Sequence, residues 1–118
     1  MQTDQLSLPR DPGARALEAL GDPMRRAIFE RLLAGPKPVG KLADTLPVSR
    51  PAVSQHLKVL KESGLVSDRA EGNRRVYRVA PDGISAMRRY LDQMWDKALA
   101  AFAAAVEEEP EPQKGRNS

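Results

Sequence analysis

The sequence predicts a mainly α domain with a β-hairpin, in the order ααααββα, and three observations carry that prediction. Four short segments with helical spacing of apolar residues follow one another between Ala14 and Ser63. The stretch LVSDRAEGNRRVYRVA then changes the period from about 3.6 to 2. From about residue 82 to 109 a long segment returns to steps of 3 and 4. At 118 residues there is chain for one domain, and with aromatic residues at only 4% its core has to be built from Leu, Val, Ala and Ile.

Residues 1–13 hold two prolines, a glycine and no apolar periodicity, so they are expected to form a loose arm ahead of a domain spanning 14–109. The first helix is expected from near Ala14 to Leu20, where Gly21 stops it. Asp22 caps the second, with Pro23 in its first position and Met24, Ala27, Ile28 and Leu32 on one face; Gly35 and Pro36 end it. Val39, Leu42, Ala43 and Leu46 give a third short helix that closes before Pro47. Ser49 is a good N-cap for the fourth, Pro51 suits its first turn, and Gly64 is placed to end it in a left-handed conformation.

The hairpin follows at once, with Gly72 and Asn73 as the pair able to take positive φ at its tip. Asp82 is the expected cap of the last helix. Its residues Ile84, Met87, Leu91, Met94, Ala98, Phe102 and Ala105 form a heptad-like seam that Trp95, Leu99 and Val106 widen. Residues 110–118 contain no large apolar group and are expected to be disordered.

The formal charge is +3, but residues 107–118 hold four acids and two bases, so the remainder of the chain is more basic than the total suggests. Between Asp22 and Pro81 twelve Lys or Arg face six Asp or Glu, an excess that favours a polyanionic partner through counterion release. Cysteine is absent, which removes disulfides, thiolate metal sites and cysteine nucleophiles. No apolar run approaches the roughly 20 residues of a membrane span, and the start MQTDQLSLPR lacks a signal-peptide core; no membrane role is expected, and the cytoplasm is the expected location. The chain shows no Ser/His/Asp constellation, phosphate-cradling glycine loop or metal cluster, so no catalytic residue, no cofactor and no enzymatic activity are expected.

A short helix, a two-residue turn and a capped second helix form a helix-turn-helix, whose second helix is offered to the DNA major groove. On that helix Val53, Leu57 and Leu60 make one apolar stripe, while Arg50, Ser54, Gln55, His56 and Lys58 offer donors with hardly an acid among them. Two bland readings stay open here: His56 packs or bonds locally beside the stripe, and the arginines of the hairpin only solubilise a sheet edge. A basic hairpin directly after a helix-turn-helix makes the expected fold a winged helix.

ALGDPMRRAIFERLL, PVSRPAVSQHLKVLKESGLV and EGNRRVYRVAP resemble, in that order, the second-helix entry, the recognition helix and the wing of the ArsR family of winged-helix transcription regulators. The resemblance covers most of the chain. It implies a homodimer, assembled through the first and last helices, that binds a pseudo-palindromic operator in double-stranded DNA and represses transcription. The DNA-contacting residues it implies are Ser49, Arg50, Pro51, Ser54, Gln55, His56 and Lys58 on the recognition helix, and Arg69, Asn73, Arg74, Arg75 and Tyr77 on the wing. Leu17, Met87, Leu91, Met94, Trp95, Ala98 and Phe102 are the expected dimer contacts; the other readings are intramolecular core for the stripe of the last helix, and for Met87, Met94, Trp95 and Phe102 the lining of a ligand pocket.

The chain departs from metal-sensing members of that family. The third helix, GKLADTL, has no thiol, His56 is the only imidazole, and Asp92 with Asp96 would be a weak set for zinc or copper, so no metal site is expected. The sequence resembles the cysteine-free branch, for which a small-molecule effector, if any, is unidentified. The alternatives are a winged-helix module that docks on protein, disfavoured by the polar groups on the helix, and one that binds RNA, disfavoured by the lack of aromatic residues for base stacking.

Overall fold

The computed structural model describes residues 11–108, so most of the expected arm and the whole of the expected tail lie outside the described residues. Five helices and three strands follow one another as α1 (Pro12–Ala19), α2 (Pro23–Leu32), β1 (Lys37–Pro38), α3 (Val39–Asp44), α4 (Arg50–Glu62), β2 (Val66–Glu71), β3 (Arg74–Val79) and α5 (Pro81–Glu108). This is the expected winged helix-turn-helix order with one short strand added.

Helix α1 begins two residues ahead of expectation because Asp11 Oδ1 accepts from the Gly13 and Ala14 amides at 2.7 and 3.1 Å, and Pro12 fits the first turn. Pro12 and Gly13, which read as loop, are here part of the helix start. Gly13 is needed for closeness: a Cβ there would run into the Ala86 carbonyl and Tyr90 Cβ of α5. Asp22 caps α2 as expected, Oδ2 accepting from the Arg25 amide at 2.8 Å.

Helix α3 is shorter than the spacing suggested. Thr45 donates its hydroxyl to the Leu42 carbonyl at 3.1 Å and is held by Arg31 through Oγ1 and its own carbonyl, both at 3.0 Å, so the helix closes at Asp44 rather than running to Leu46. Strand β1 was not expected; a lysine and a proline alone show no alternation. It pairs antiparallel with β3, Lys37 opposite Tyr77 and Pro38 opposite Val76, giving a sheet of order β1-β3-β2.

Strands β2 and β3 pair from Val66 opposite Val79 to Glu71 opposite Arg74, leaving a two-residue turn. Only Gly72 in that turn has positive φ, at 68°; Asn73 does not, contrary to expectation, which matches a type II′ rather than a type I′ turn. Asp82 is likewise not a cap: Pro81 already occupies the first helical position of α5, and Asp82 sits in its first turn, where its charge favours the helix dipole.

Ala16 and Ala19 of α1, Ile28, Phe29 and Leu32 of α2, Leu42 of α3, Val53, Leu57 and Leu60 of α4, and Leu65 and Val66 form one buried cluster. Ile84 and Met87 pack on its edge from α5. Beyond Leu91, however, α5 leaves the core. Met94, Trp95, Leu99, Phe102 and Val106 are 43, 64, 61, 67 and 55% exposed, so the intramolecular-core reading of the seam holds for its first turns only.

Candidate nucleic-acid interface

The recognition helix α4 is fixed at both ends by its own sequence. Ser49 Oγ accepts from the Ala52 amide at 3.3 Å, and the same hydroxyl keeps its proton for an outside acceptor. At the other end Gly64, at φ 84°, closes a Schellman motif: the Gly64 amide donates to the Lys61 carbonyl and the Leu65 amide to the Leu60 carbonyl, both at 3.0 Å. Between these ends Val53, Leu57 and Leu60 are fully buried. Burial of that stripe leaves Pro51, Ser54, Gln55 and Lys58 exposed on the opposite face, with Arg50 exposed at the first turn.

The Arg50 guanidinium lies over Gly40 of α3, where a Cβ would come 2.8 Å from Nη2. His56 is half-buried, its Nδ1 3.9 Å from Asp22 Oδ2, which turns the ring toward the N-terminus of α2 rather than along the donor face. The hydrogen bond from the Arg25 amide holds the Asp22 carboxyl below its ordinary value, and the charges of Arg25 and His56 act in the same direction.

The wing residues separate into two groups. Arg75 Nη1 lies 3.1 Å from Asp68 Oδ2, Arg78 Nη2 2.9 Å from Glu71 Oε2, and Arg69 Nη2 3.6 Å from the same Glu71 oxygen. Asn73 and Arg74 at the tip are exposed and take no part in those pairs. Tyr77 is half-buried and packs against the core, so its ring is a support for β3 as much as a surface group.

Asp68 and Lys61 were not among the expected site residues. Asp68 has a side chain only 6% exposed, and Lys61 Nζ of α4 reaches its Oδ1 at 2.8 Å while Arg75 holds the other oxygen. The Lys61 hydrogen bond, with that of Arg75, keeps the Asp68 carboxyl below its ordinary value. A seven-residue spacing that runs through a Schellman turn has no helical or strand period, so the pair leaves no trace in the pattern. A second unforeseen feature is a depression of about 420 Å³ lined by Pro36, Lys37, Pro38, Lys41, Thr45 and Arg74.

Among the described residues no group of three His, Cys, Asp or Glu side chains could hold a metal ion, and no helix is long and apolar enough to cross a membrane.

The same architecture is found in known proteins. Residues 20–69 match the model of a helix-turn-helix domain family. The HTH-type transcriptional regulator Rv2034 of Mycobacterium tuberculosis is 55% identical over 104 residues, 88% of this chain and 96% of that protein. An ArsR-like transcriptional regulator from a Rhodococcus species is 32% identical, with a TM-score of 0.68 over 82% of this chain and 94% of that one. The homodimeric winged helix-turn-helix DNA-binding domain of a possible ArsR-family regulator from Mycobacterium bovis is 28% identical, with a TM-score of 0.60 over 84% of this chain and 90% of that one. With its donor-faced α4, its arginine wing and a relative this similar along nearly its whole length, the chain belongs to the ArsR family of DNA-binding helix-turn-helix transcriptional regulators.

Proposed function

We propose that this regulator acts in the cytoplasm as a homodimeric repressor: two copies of α4 enter successive major grooves of a pseudo-palindromic operator, the wings hold the flanking backbone, and the bound dimer blocks transcription. The observation that carries the reading is the face of α4, where a fully buried Val53–Leu57–Leu60 stripe commits Ser54, Gln55 and Lys58 to the outside of a helix capped at both ends. Ser54 and Gln55 are suited to base edges, Ser49, Arg50 and Lys58 to phosphates. Pro51 contributes shape in the first turn, and His56 contacts DNA only at the margin of the helix. Asn73 and Arg74 are the wing groups best placed for DNA, with Arg69 and Arg75 adding charge behind them and Tyr77 supporting the strand.

One short helix reads few base pairs, so a second copy is needed for specificity. The exposed apolar groups of α5, Met94, Trp95 and Phe102, together with Ala98, supply the surface for it, joined at the domain end by Leu91, Met87 and Leu17. The homodimeric relative supports that arrangement. The test is selection of bound duplexes from random DNA, followed by titration of the selected duplex and a scrambled one of equal length. A repressor binds the selected duplex at least a thousandfold more tightly, on the order of the usual specific-to-random ratio. Equal affinity for the two would end the operator reading.

A further inference from the structure

The twelve cations between Asp22 and Pro81 divide by what they already touch. Arg25 and Arg26 donate to the carbonyls of Ala19 and Leu20 at the end of α1, and Arg31 to Thr45. Lys61, Arg69, Arg75 and Arg78 are paired with Asp68 or Glu71. The cations that remain are Lys37, Lys41, Arg50, Lys58 and Arg74, and among the described residues none of them is in an ion pair. Two of these, Arg50 and Lys58, lie on α4. The other three, from β1, α3 and the tip of the wing, line one depression together with Thr45.

That convergence is made by the fold. Strand β1 pairs with β3, and continuing its register past Pro38 brings the start of α3 beside Arg74 and Arg75. Without the unexpected strand, Lys37 and Arg74 would have no reason to share a wall. Bringing three like charges around one hollow costs repulsion, which an anion in the hollow would relieve. The hollow is open to solvent, with the rings of Pro36 and Pro38 in its wall and the three cations around it. A small-molecule site encloses most of its ligand, so this open one suits a group that belongs to a long polyanion lying across the surface. Arg50 lies over Gly40, the neighbour of Lys41 on α3.

We propose that the depression between α3 and the wing seats a backbone phosphate of the bound DNA, with Lys37, Lys41 and Arg74 as its cationic ligands. The proposal rests on the DNA-binding reading and adds to it a third contact, which carries no base information and fixes how deeply α4 enters the groove. The chemistry it needs is a phosphate group, supplied by the duplex and not by a free phosphorylated effector.

The test compares wild type with the double variants Lys37→Gln/Lys41→Gln and Lys37→Arg/Lys41→Arg, titrated over a range of salt against a duplex selected from random DNA and a scrambled duplex. In the Gln variant, affinity for both duplexes should fall by a similar factor, about three- to tenfold. The slope of log affinity against log salt should flatten by about 0.9 for each phosphate no longer neutralised, with the ratio between duplexes unchanged. The Arg variant should keep the wild-type slope. Inorganic phosphate, added at matched ionic strength, should shift the Gly40 and Thr45 amide resonances no more than chloride does. An unchanged slope in a folded Gln variant overturns the proposal, as does loss confined to the selected duplex. Saturable binding of inorganic phosphate that displaces DNA overturns it too, and reassigns the hollow to a free anion. Failure of the DNA reading itself looks different, because then the wild type binds neither duplex.

Discussion

Lys61 Nζ lies 2.8 Å from Asp68 Oδ1, which ties the last turn of the recognition helix to the first strand of the wing. Arg75 grips the second oxygen of the same carboxylate from β3. One nearly buried acid therefore joins α4 to both strands of the wing, beside the core packing of Leu57 and Leu60 with Leu65 and Val66. Asp68→Asn keeps the shape and removes the charge. Both cations retain access to water, so the stability cost is small, about 1 kcal/mol or less, measurable as a lower denaturant midpoint with an unchanged slope. DNA affinity should fall by more than that cost predicts, because the wing is no longer held in register with α4. A variant with wild-type DNA affinity would show that the strut does not position the wing.

The same carboxylate gives the molecule an acid limb. Asp68 and Asp22 both have folded-state values below their ordinary ones. A depressed carboxylate contributes stability that is present above its unfolded value, about 3.9, and is lost as pH falls through the folded value. Stability should thus be flat near neutral pH and decline below about pH 4. Asp68→Asn should make that decline shallower in acid titrations of the unfolding midpoint. An identical acid limb in the variant would remove Asp68 from the linkage.

The elements whose cause is local were legible in the sequence. Ser49, Asp22 and Gly64 cap through their own side chain or their own φ, so composition at one position was enough to place them. The apolar stripe of α4 fixes its outward face for the same reason, and with it Ser54, Gln55 and Lys58. What was not legible comes from partners distant in sequence. Strand β1 exists because Lys37 and Pro38 meet β3; the ion pairs of Asp68 cross a turn; the ring of His56 lies beside Asp22, a residue of another helix's cap. Asp82 misled because a cap and a first-turn acid draw on the same residue types, and only the chain path distinguishes them.

Gly83 and Gly64 meet where α5 crosses the end of α4, and a Cβ on Gly83 would run into the Gly64 carbonyl. The obstacle is backbone, which cannot swing aside as a side chain would. Gly83→Ala should therefore push α5 off α4 and cost about 1–3 kcal/mol, as overpacking does elsewhere, despite the better helix propensity of alanine. Equilibrium denaturation measures it, and a stabilised variant would mean that the crossing relaxes at no cost.

Base reading and backbone holding should separate on mutation. Gln55 sits mid-helix on the exposed face, and Arg74 at the tip of the wing. Gln55→Ala should cost about 1–3 kcal/mol on a selected duplex and relax preference at one base pair, since a bidentate amide contact is lost. Arg74→Ala should weaken selected and scrambled duplexes alike and lower the salt slope by about 1. If both variants lose affinity in the same sequence-independent way, Gln55 is not a base reader.

Trp95 reports on assembly because it is the only tryptophan in the chain and is 64% exposed in the isolated protomer. Its neighbours along the seam are similarly open: Phe102 is 67% exposed, and Leu99 61%. Fully burying one such side chain is worth about 1.5–3 kcal/mol, so a few of them suffice for a stable partner contact. A second α5 covering this face would move Trp95 into an apolar setting. Its emission should then shift to the red on dilution, as dimers dissociate, and the weight-average mass should fall in parallel. Trp95→Glu with Phe102→Glu should give a folded monomer, since neither residue belongs to the core. That monomer should bind a two-half-site duplex with the same affinity as a single half-site. A concentration-independent emission together with the mass of one chain would remove α5 from the interface and leave two-fold operator reading without a structural basis.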